Sequence, residues 1–166
     1  MKLPAKLEPS QVTAICDTRE QLPLDLAPLR VQVGTLDTGD YSLLGSDHIR
    51  IERKSRDDLL GCVGRDRERF DREVQRLLAF PVRILVIEST WAAIEMGGWR
   101  GKITPEQVIG SLLGWQAMGL SVHMVGDHER AGRHAARLLF TVAKRRYREL
   151  RALLVTHSPE EPTRCD

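Results

Sequence analysis

Ile49-Arg50-Ile51-Glu52-Arg53-Lys54-Ser55-Arg56-Asp57-Asp58 reads as a strand that hands over to a helix. In an extended chain successive side chains alternate, so Ile49 and Ile51 face one way while Arg50, Glu52 and Lys54 face the other. A carboxylate and an ammonium therefore stand two residues apart on one face. Upstream, Gly39-Asp40 sits just ahead of another strand-like run, Tyr41-Ser42-Leu43-Leu44. An acidic residue, a short hairpin and then Glu-x-Lys is an arrangement suited to metal-dependent phosphodiester hydrolysis. Two carboxylates converge on a hard cation and the lysine lies beside the phosphate.

Working upstream, Val12 to Cys16 reads as a buried strand followed at once by Asp17-Thr18-Arg19-Glu20. Gln21 to Leu29 holds Pro23 and Pro28 and reads as loop or short helix. Val31 to Leu36 alternates like a strand, Asp37 to Asp40 turns, and Tyr41 to Leu44 pairs back to a strand over His48 to Lys54. The expectation is an antiparallel meander with the acidic cluster at one edge.

Downstream of Arg56 the period changes. Phe70, Val74, Leu77 and Leu78 fall on one helical stripe, with arginines on the other faces. Val82 to Glu88 is an apolar run of the kind found in central strands. Met96 to Lys102 is glycine-rich and reads as a mobile loop. Thr104-Pro105-Glu106-Gln107 is a capping box with proline at the first helical position, and Gly119 closes the helix it opens. Leu120 to Val125 is a further strand, and a long helix runs from about His128 past Leu150. The order predicts an α/β fold: one domain over residues 1–155 with a mixed central sheet flanked by helices, and a disordered tail over 156–166. Trp115, Leu112, Phe70 and the Val82 to Ile87 strand should dominate the core.

The bulk numbers narrow the function. In 166 residues, 42% hydrophobic and 29% charged, there is room for one proper core. A net charge of +2 gives weak support for a polyanionic partner, so clustering must carry that argument. No apolar run approaches the ~20 residues of a membrane span, and Met1 to Ala5 lacks a signal-peptide core, which points to an intracellular protein. That means cytoplasmic in a prokaryote and nuclear in a eukaryote. Cys16, Cys62 and Cys165 are odd in number and widely spaced, which supports neither a disulfide framework nor a zinc site. The histidines include no pair at metal-binding helical spacing. Hard oxygen donors without Cys or His favour Mg²⁺, with Mn²⁺ as substitute. Asp40 and Glu52 are the expected ligands, and Lys54 the group that orients or deprotonates the water and offsets phosphate charge.

A Glu-x-Lys tripeptide alone is weak, because charged alternation on a strand is usually a solvated face. The combination is more specific. Gly39-Asp40, then Glu52-Arg53-Lys54, then Asp58 resembles the GD…ERKxxxD pattern of the XPF family of structure-selective DNA endonucleases. Asp17-Thr18-Arg19-Glu20 resembles that family's DxRE segment. Arg69-Phe70 with Glu73 and Arg76-Leu77 resembles its following helix, and Pro81 to Glu88 its next strand. The likeness is strong over Val12 to Glu88 and fainter to about Leu139.

The resemblance implies a restriction-endonuclease-like core with Mg²⁺ held by Asp40, Glu52 and the Arg53 carbonyl, and Lys54 at the scissile phosphate. It places Asp17 near the metal, directly or through water. It gives Arg19, Glu20 and the Arg53 side chain supporting or phosphate-touching roles, and has Asp58 tie down the turn after the catalytic strand. All the charged positions of the pattern are filled, unlike in the family's inactive, binding-only members. Family members commonly add a tandem helix-hairpin-helix module, and few residues follow the last helix here, so the grip on DNA is expected from the core or from a partner.

Family members also dimerise through the nuclease domain. A homodimer or heterodimer using the last two helices, with Trp115 or the Ala131 to Phe140 face, is one reading; simple packing of those residues on the sheet is the other. Arg65, Arg67, Arg69 and Arg72, with Arg53, are the expected DNA backbone contacts, which makes binding steeply salt-dependent. The expected function is a Mg²⁺-dependent hydrolase of branched DNA (flaps, forks, nicked junctions) in repair or recombination. A same-fold restriction or Holliday-junction nuclease and a non-catalytic DNA-binding dimer partner are the alternatives.

Overall fold

The computed structural model describes residues 4–156. Strands form where β-branched and aliphatic residues can bury themselves: β1 (Thr13–Asp17), β2 (Arg30–Gly34), β3 (Tyr41–Leu43), β4 (Ser46–Ser55), β5 (Val82–Glu88) and β6 (Ser121–Met124). They make one six-stranded sheet in the order β2-β1-β3-β4-β5-β6. β3 pairs antiparallel with both β1 and β4, while β1 with β2, β4 with β5 and β5 with β6 are parallel. It follows that β3 runs against the other five. The carboxyl ends of β1, β4 and β5 and the start of β3 therefore share one rim of the sheet. That rim is where ligands bind in open α/β sheets.

This corrects the expected meander. β2 does not lie between β1 and β3; it returns parallel to β1 at the outer edge, Thr13 opposite Arg30. A parallel return needs a long crossover, and the proline-bearing chain from Thr18 to Leu29 supplies it. Val31 and Val33 alternate like a buried strand yet are 50% and 66% exposed, because no layer covers that edge. The acidic cluster accordingly sits over the middle of the sheet, not at its edge.

Helices α1 (Arg56–Val63), α2 (Arg67–Leu77), α3 (Trp91–Met96) and α4 (Pro105–Ala117) cover one face, and α5 (His128–Thr156) covers the other. The α2 stripe Phe70, Val74 and Leu77 is buried as the period predicts, and Phe70 meets Trp115 edge to face with ring centroids 4.8 Å apart. The capping box opens α4 as predicted, Thr104 Oγ1 accepting from Gln107 N and Gln107 accepting from Thr104 N. α3, not foreseen, starts on Thr90 as N-cap and ends at Gly97, inside the stretch where a loop was expected. The long α5 lays Ala131, Ala135, Ala136 and Leu139 against the sheet. Gly132 lets it come close, since a Cβ there would lie 2.5 Å from the Asp25 carbonyl oxygen.

Trp115 is only 2% exposed and the alanine-rich face of α5 packs on its own sheet, so neither is a free dimer surface. The other faces of these helices remain open, with Leu113 and Met118 exposed. The expected tail lies, beyond Thr156, outside the described residues. Among the described residues no helix is long and apolar enough to cross a membrane.

Candidate active site

Alternation along β4 sends its side chains to opposite faces. Ile49 and Ile51 join the core beneath α5, while Lys54 passes over the Phe70 ring on the α2 side, its Nζ 5.4 Å from the ring centre. Glu52 shares that side, where the Lys54 ammonium donates to Glu52 Oε1 in a very short contact and to the Arg53 carbonyl oxygen at 3.3 Å.

Asp40 comes to the same place from the turn before β3. Gly39 has φ +74°, and a Cβ there would meet the Ile51 carbonyl oxygen at 3.2 Å, so only glycine lets the turn lie this close to β4. Asp40 N donates to the Ile51 carbonyl at 2.8 Å, and Arg53 N donates to Asp40 Oδ2 at 2.7 Å. The carboxylate thus replaces a backbone acceptor at the end of the β3–β4 ladder. Of the donor set that the family resemblance implies, Glu52 and the Arg53 carbonyl lie on the lysine head group, and Asp40 is held beside them by the Arg53 amide.

Two buried carboxylates here face a single ammonium. Burial raises the Glu52 carboxyl to about 7, with Asp40 adding to the rise and Lys54 opposing it. Burial likewise raises Asp40, against the Arg53 amide and Lys54. Burial works against the Lys54 charge, but Glu52 and Asp40 more than offset it and hold the ammonium protonated. A group so held donates hydrogen bonds and offsets charge; of the two roles expected for Lys54, taking a proton from water is the one this environment disfavours.

Two desolvated carboxylates, one of which raises the proton affinity of the other, are a setting that a divalent cation relieves. The Lys54 ammonium already bonds two of the three donors, standing where positive charge is wanted. Among the described residues no three Asp, Glu, His or Cys side chains form a ready metal cage. The donor set is two carboxylates and a backbone carbonyl, which leaves positions for water and suits Mg²⁺ or Mn²⁺.

Asp17 lies beside this group, its N donating to the Asp40 carbonyl at 2.8 Å. Its own carboxylate is fully engaged. Oδ1 accepts from Arg19 N at 2.9 Å and Arg19 Nε at 2.7 Å, and Oδ2 from Leu36 N at 2.6 Å and Arg19 Nη2 at 3.2 Å. Burial would raise it, yet the bonds from Arg19 and Leu36 hold it below the usual carboxylate range. In this geometry Asp17 organises the loop leading to Asp40, helped by Arg19 Nη2 on the Leu36 carbonyl at 2.7 Å. Asp58 closes the turn after β4: Ser55 Oγ donates to Asp58 Oδ2 at 2.6 Å and accepts from Asp58 N at 3.1 Å.

Of the two roles expected for the Arg53 side chain, support and phosphate contact, its surroundings suit the first. It is 9% exposed, with Nε and Nη2 on Glu20 at 3.1 and 3.2 Å and Nη1 on Glu88 Oε1 at 2.8 Å. A guanidinium enclosed between two carboxylates has no free face for a DNA phosphate, so Arg53 is not a DNA contact here; Glu20 holds it in place. Among the helix arginines, Arg67 is tied across to Ser111 Oγ at 2.6 Å and serves α2–α4 packing. Arg65 and Arg69 sit around Asp66 with side chains 87% and 73% exposed, and they line one surface hollow together with Arg72.

Two residues of this region carry no site role in the sequence reading. Glu73 of α2 takes hydrogen bonds from Thr38 Oγ1, in a very short contact, and from Gly39 N at 3.3 Å, so it braces the Asp40 turn. Its only sequence signal was its place in the family-like helix. Glu88, the last residue of β5, holds Arg53 from the far side. The histidines also hold a surprise: His123 Nδ1 and His134 Nε2 are 2.6 Å apart, from β6 and α5, a proximity no sequence spacing could reveal.

Residues 10–138 match the ERCC4 domain. Among solved structures the fold resembles XPF from Aeropyrum pernix, with TM-score 0.66 and 18% identity over 78% of this chain and 61% of that one. It also resembles XPF from Aeropyrum pernix in complex with DNA, with TM-score 0.65 and 19% identity over 81% of this chain and 66% of that one. At such identities the likeness is one of fold, the restriction-endonuclease-like mixed sheet. The chain spans 61% to 66% of the length of these two structures. No curated protein matches it by sequence.

Proposed function

The chain belongs to the ERCC4 domain family, and from that premise we propose that it is a divalent-metal-dependent endonuclease that cuts branched DNA in repair or recombination. Flaps, forks and nicked junctions are the proposed substrates, and Mg²⁺ the working metal with Mn²⁺ able to replace it. The observation that carries the reading is that Asp40, held by the Arg53 amide, shares the carboxyl rim of the sheet with Glu52 and the Arg53 carbonyl, both bonded to the Lys54 ammonium.

A cation held by those three donors would supply an activated water and neutralise phosphoryl charge. Lys54, kept protonated by its neighbours, donates to a phosphoryl oxygen and offsets the charge that builds on it. Asp40 and Glu52 would hold the cation, and Glu52 orients the lysine. Asp17, Glu73 and Asp58 hold the segments that carry these groups. Arg65, Arg69 and Arg72 offer exposed cations on the α2 side of the rim and are the proposed backbone contacts. Since no recognition helix or zinc finger is present in the sequence, DNA shape is the proposed cue. Assembly as a dimer through the nuclease domain is part of the proposal, using faces of α4 and α5 other than those packed on the sheet.

Labelled flap, fork and linear duplex DNAs incubated with Mg²⁺ or with EDTA test this. Wild type should cut branched DNA in Mg²⁺ alone, and Glu52→Ala and Lys54→Ala should lose cutting while keeping their fold and most DNA affinity. Undiminished cutting by the folded variants would sink the assignment.

A further inference from the structure

Behind the donor set lies a second charged group. Glu20 follows β1, Arg53 is in β4, Glu88 ends β5, and His128 opens α5. The Arg53, Glu20 and Glu88 side chains are 9%, 5% and 11% exposed, so this is a buried network. Glu88 Oε1 accepts from Arg53 Nη1 at 2.8 Å and lies 2.7 Å from His128 Nδ1. An ionised carboxylate only accepts, so the imidazole proton on this side is on Nδ1. His128 is more open, 37% exposed, and links the network to the first turn of α5.

What makes this more than a structural ion pair is the main chain of Arg53. Its amide holds the Asp40 carboxylate at 2.7 Å, and its carbonyl faces the Lys54 ammonium at 3.3 Å. Both peptide groups that build the donor set therefore hang on the residue that the network clamps. Glu20 engages Nε and Nη2 together, a fork that fixes the guanidinium plane. Glu88 takes the remaining direction, Nη1, and stops the plane from pivoting on that fork.

We propose that Glu88 and His128 are positioning residues of the active site, which through the Arg53 side chain set the direction of the Arg53 carbonyl and amide toward the metal and Asp40. This rests on the reading of the Arg53 carbonyl as a metal donor. Neither residue touches substrate; their effect is on how well the donor set is formed.

The test uses the full chain as wild type, Glu88→Ala, Glu88→Gln, His128→Ala and His128→Asn. Each is followed by thermal melting, by Mn²⁺ titration calorimetry without DNA, and by kcat and KM for a labelled flap DNA in Mg²⁺. Outer partners of metal ligands commonly change affinity or activity 10–100-fold, so Glu88→Ala should weaken Mn²⁺ binding by roughly tenfold and lower kcat, with KM for DNA unmoved. Glu88→Gln, which keeps an oxygen toward Arg53, should recover part of both. His128→Ala should shift Mn²⁺ binding the same way by about threefold, and His128→Asn, whose amide can donate in place of Nδ1, should restore it.

Wild-type Mn²⁺ affinity and kcat in folded Glu88→Ala, or a change in KM alone, would overturn the proposal. Should Glu88→Ala not fold, His128→Ala decides, and wild-type Mn²⁺ binding by it would be equally fatal. A wild type that binds Mn²⁺ but cuts no DNA defeats the nuclease reading and leaves the calorimetric comparison standing.

Discussion

Adjacent residues of β4 belong to two charged groups of opposite character. On the α2 side, Glu52 and Lys54 with Asp40 form a group in which burial raises both carboxyls, Glu52 to about 7. On the other side, Arg53 with Glu20 and Glu88 forms a group in which every charge has a near partner and little solvent. The first is poised for a ligand and the second is closed upon itself. The difference teaches that one strand can carry reactivity and rigidity on alternate residues, on opposite faces of the sheet and joined through the Arg53 main chain. Disturbing the open group should cost activity at once, and disturbing the closed one should cost stability and, through the Arg53 main chain, part of the activity.

The largest effect expected is on chemistry. Lys54→Ala should reduce cleavage by roughly a thousandfold, in the range of a lost charge-stabilising or acid–base group. Gel assays read this, and a melting point near wild type would keep the loss on the open side of the comparison. Next is Arg53→Met, which strands Glu20 and Glu88 as buried, unpaired carboxylates. Breaking a buried ion pair this way costs roughly 3–5 kcal/mol, so urea unfolding should show a large drop in stability.

The open group should respond with the opposite sign. Asp40→Asn keeps an acceptor for the Arg53 amide yet removes one of two crowded charges. Without added metal it should raise the melting temperature by roughly 2–4 °C, about 1 kcal/mol, while abolishing cleavage. A melting temperature that falls as far as for Arg53→Met would erase the distinction between the groups.

A smaller effect concerns DNA binding. Arg69→Ala should weaken binding to all DNAs alike and flatten the plot of log affinity against log salt by about one unit, as expected for one lost phosphate contact. The smallest is a pH effect away from both groups. Burial, with His134 beside His123 and Arg137 beside His134, holds both histidines below the ordinary range. The unfolded chain then binds more protons than the folded one just below that range. Stability contributed by the neutral pair is present above pH ~6.5 and is lost as pH falls toward the lowered folded values. Melting curves of wild type and His134→Gln between neutral and mildly acidic pH should converge as acid removes the pair's contribution.

Much of this was legible because it is local. Alternation placed Glu52 and Lys54 on one face of β4, the Thr104 box opened α4, and the spacing of Phe70, Val74 and Leu77 gave the buried stripe of α2. Glycine before Asp40 signalled a turn, and the structure shows that its close approach to Ile51 is what requires it. What escaped depends on contacts between distant segments. Val31 and Val33 alternate equally well in a meander or at a parallel edge, and only the pairing with β1 decides. Arg53 reads as support or as a phosphate contact, because charged alternation gives no sign of which face is covered. Its partners Glu20 and Glu88 are 33 and 35 residues away and arrive only when β1 and β5 flank the site.

The most direct test of the central claim is an anomalous difference map from crystals of the protein soaked in Mn²⁺. The account predicts a peak bounded by the Asp40 and Glu52 carboxylates and the Arg53 carbonyl, with the Lys54 ammonium moved off Glu52. A peak elsewhere, or none with Lys54 still seated on Glu52, would contradict it.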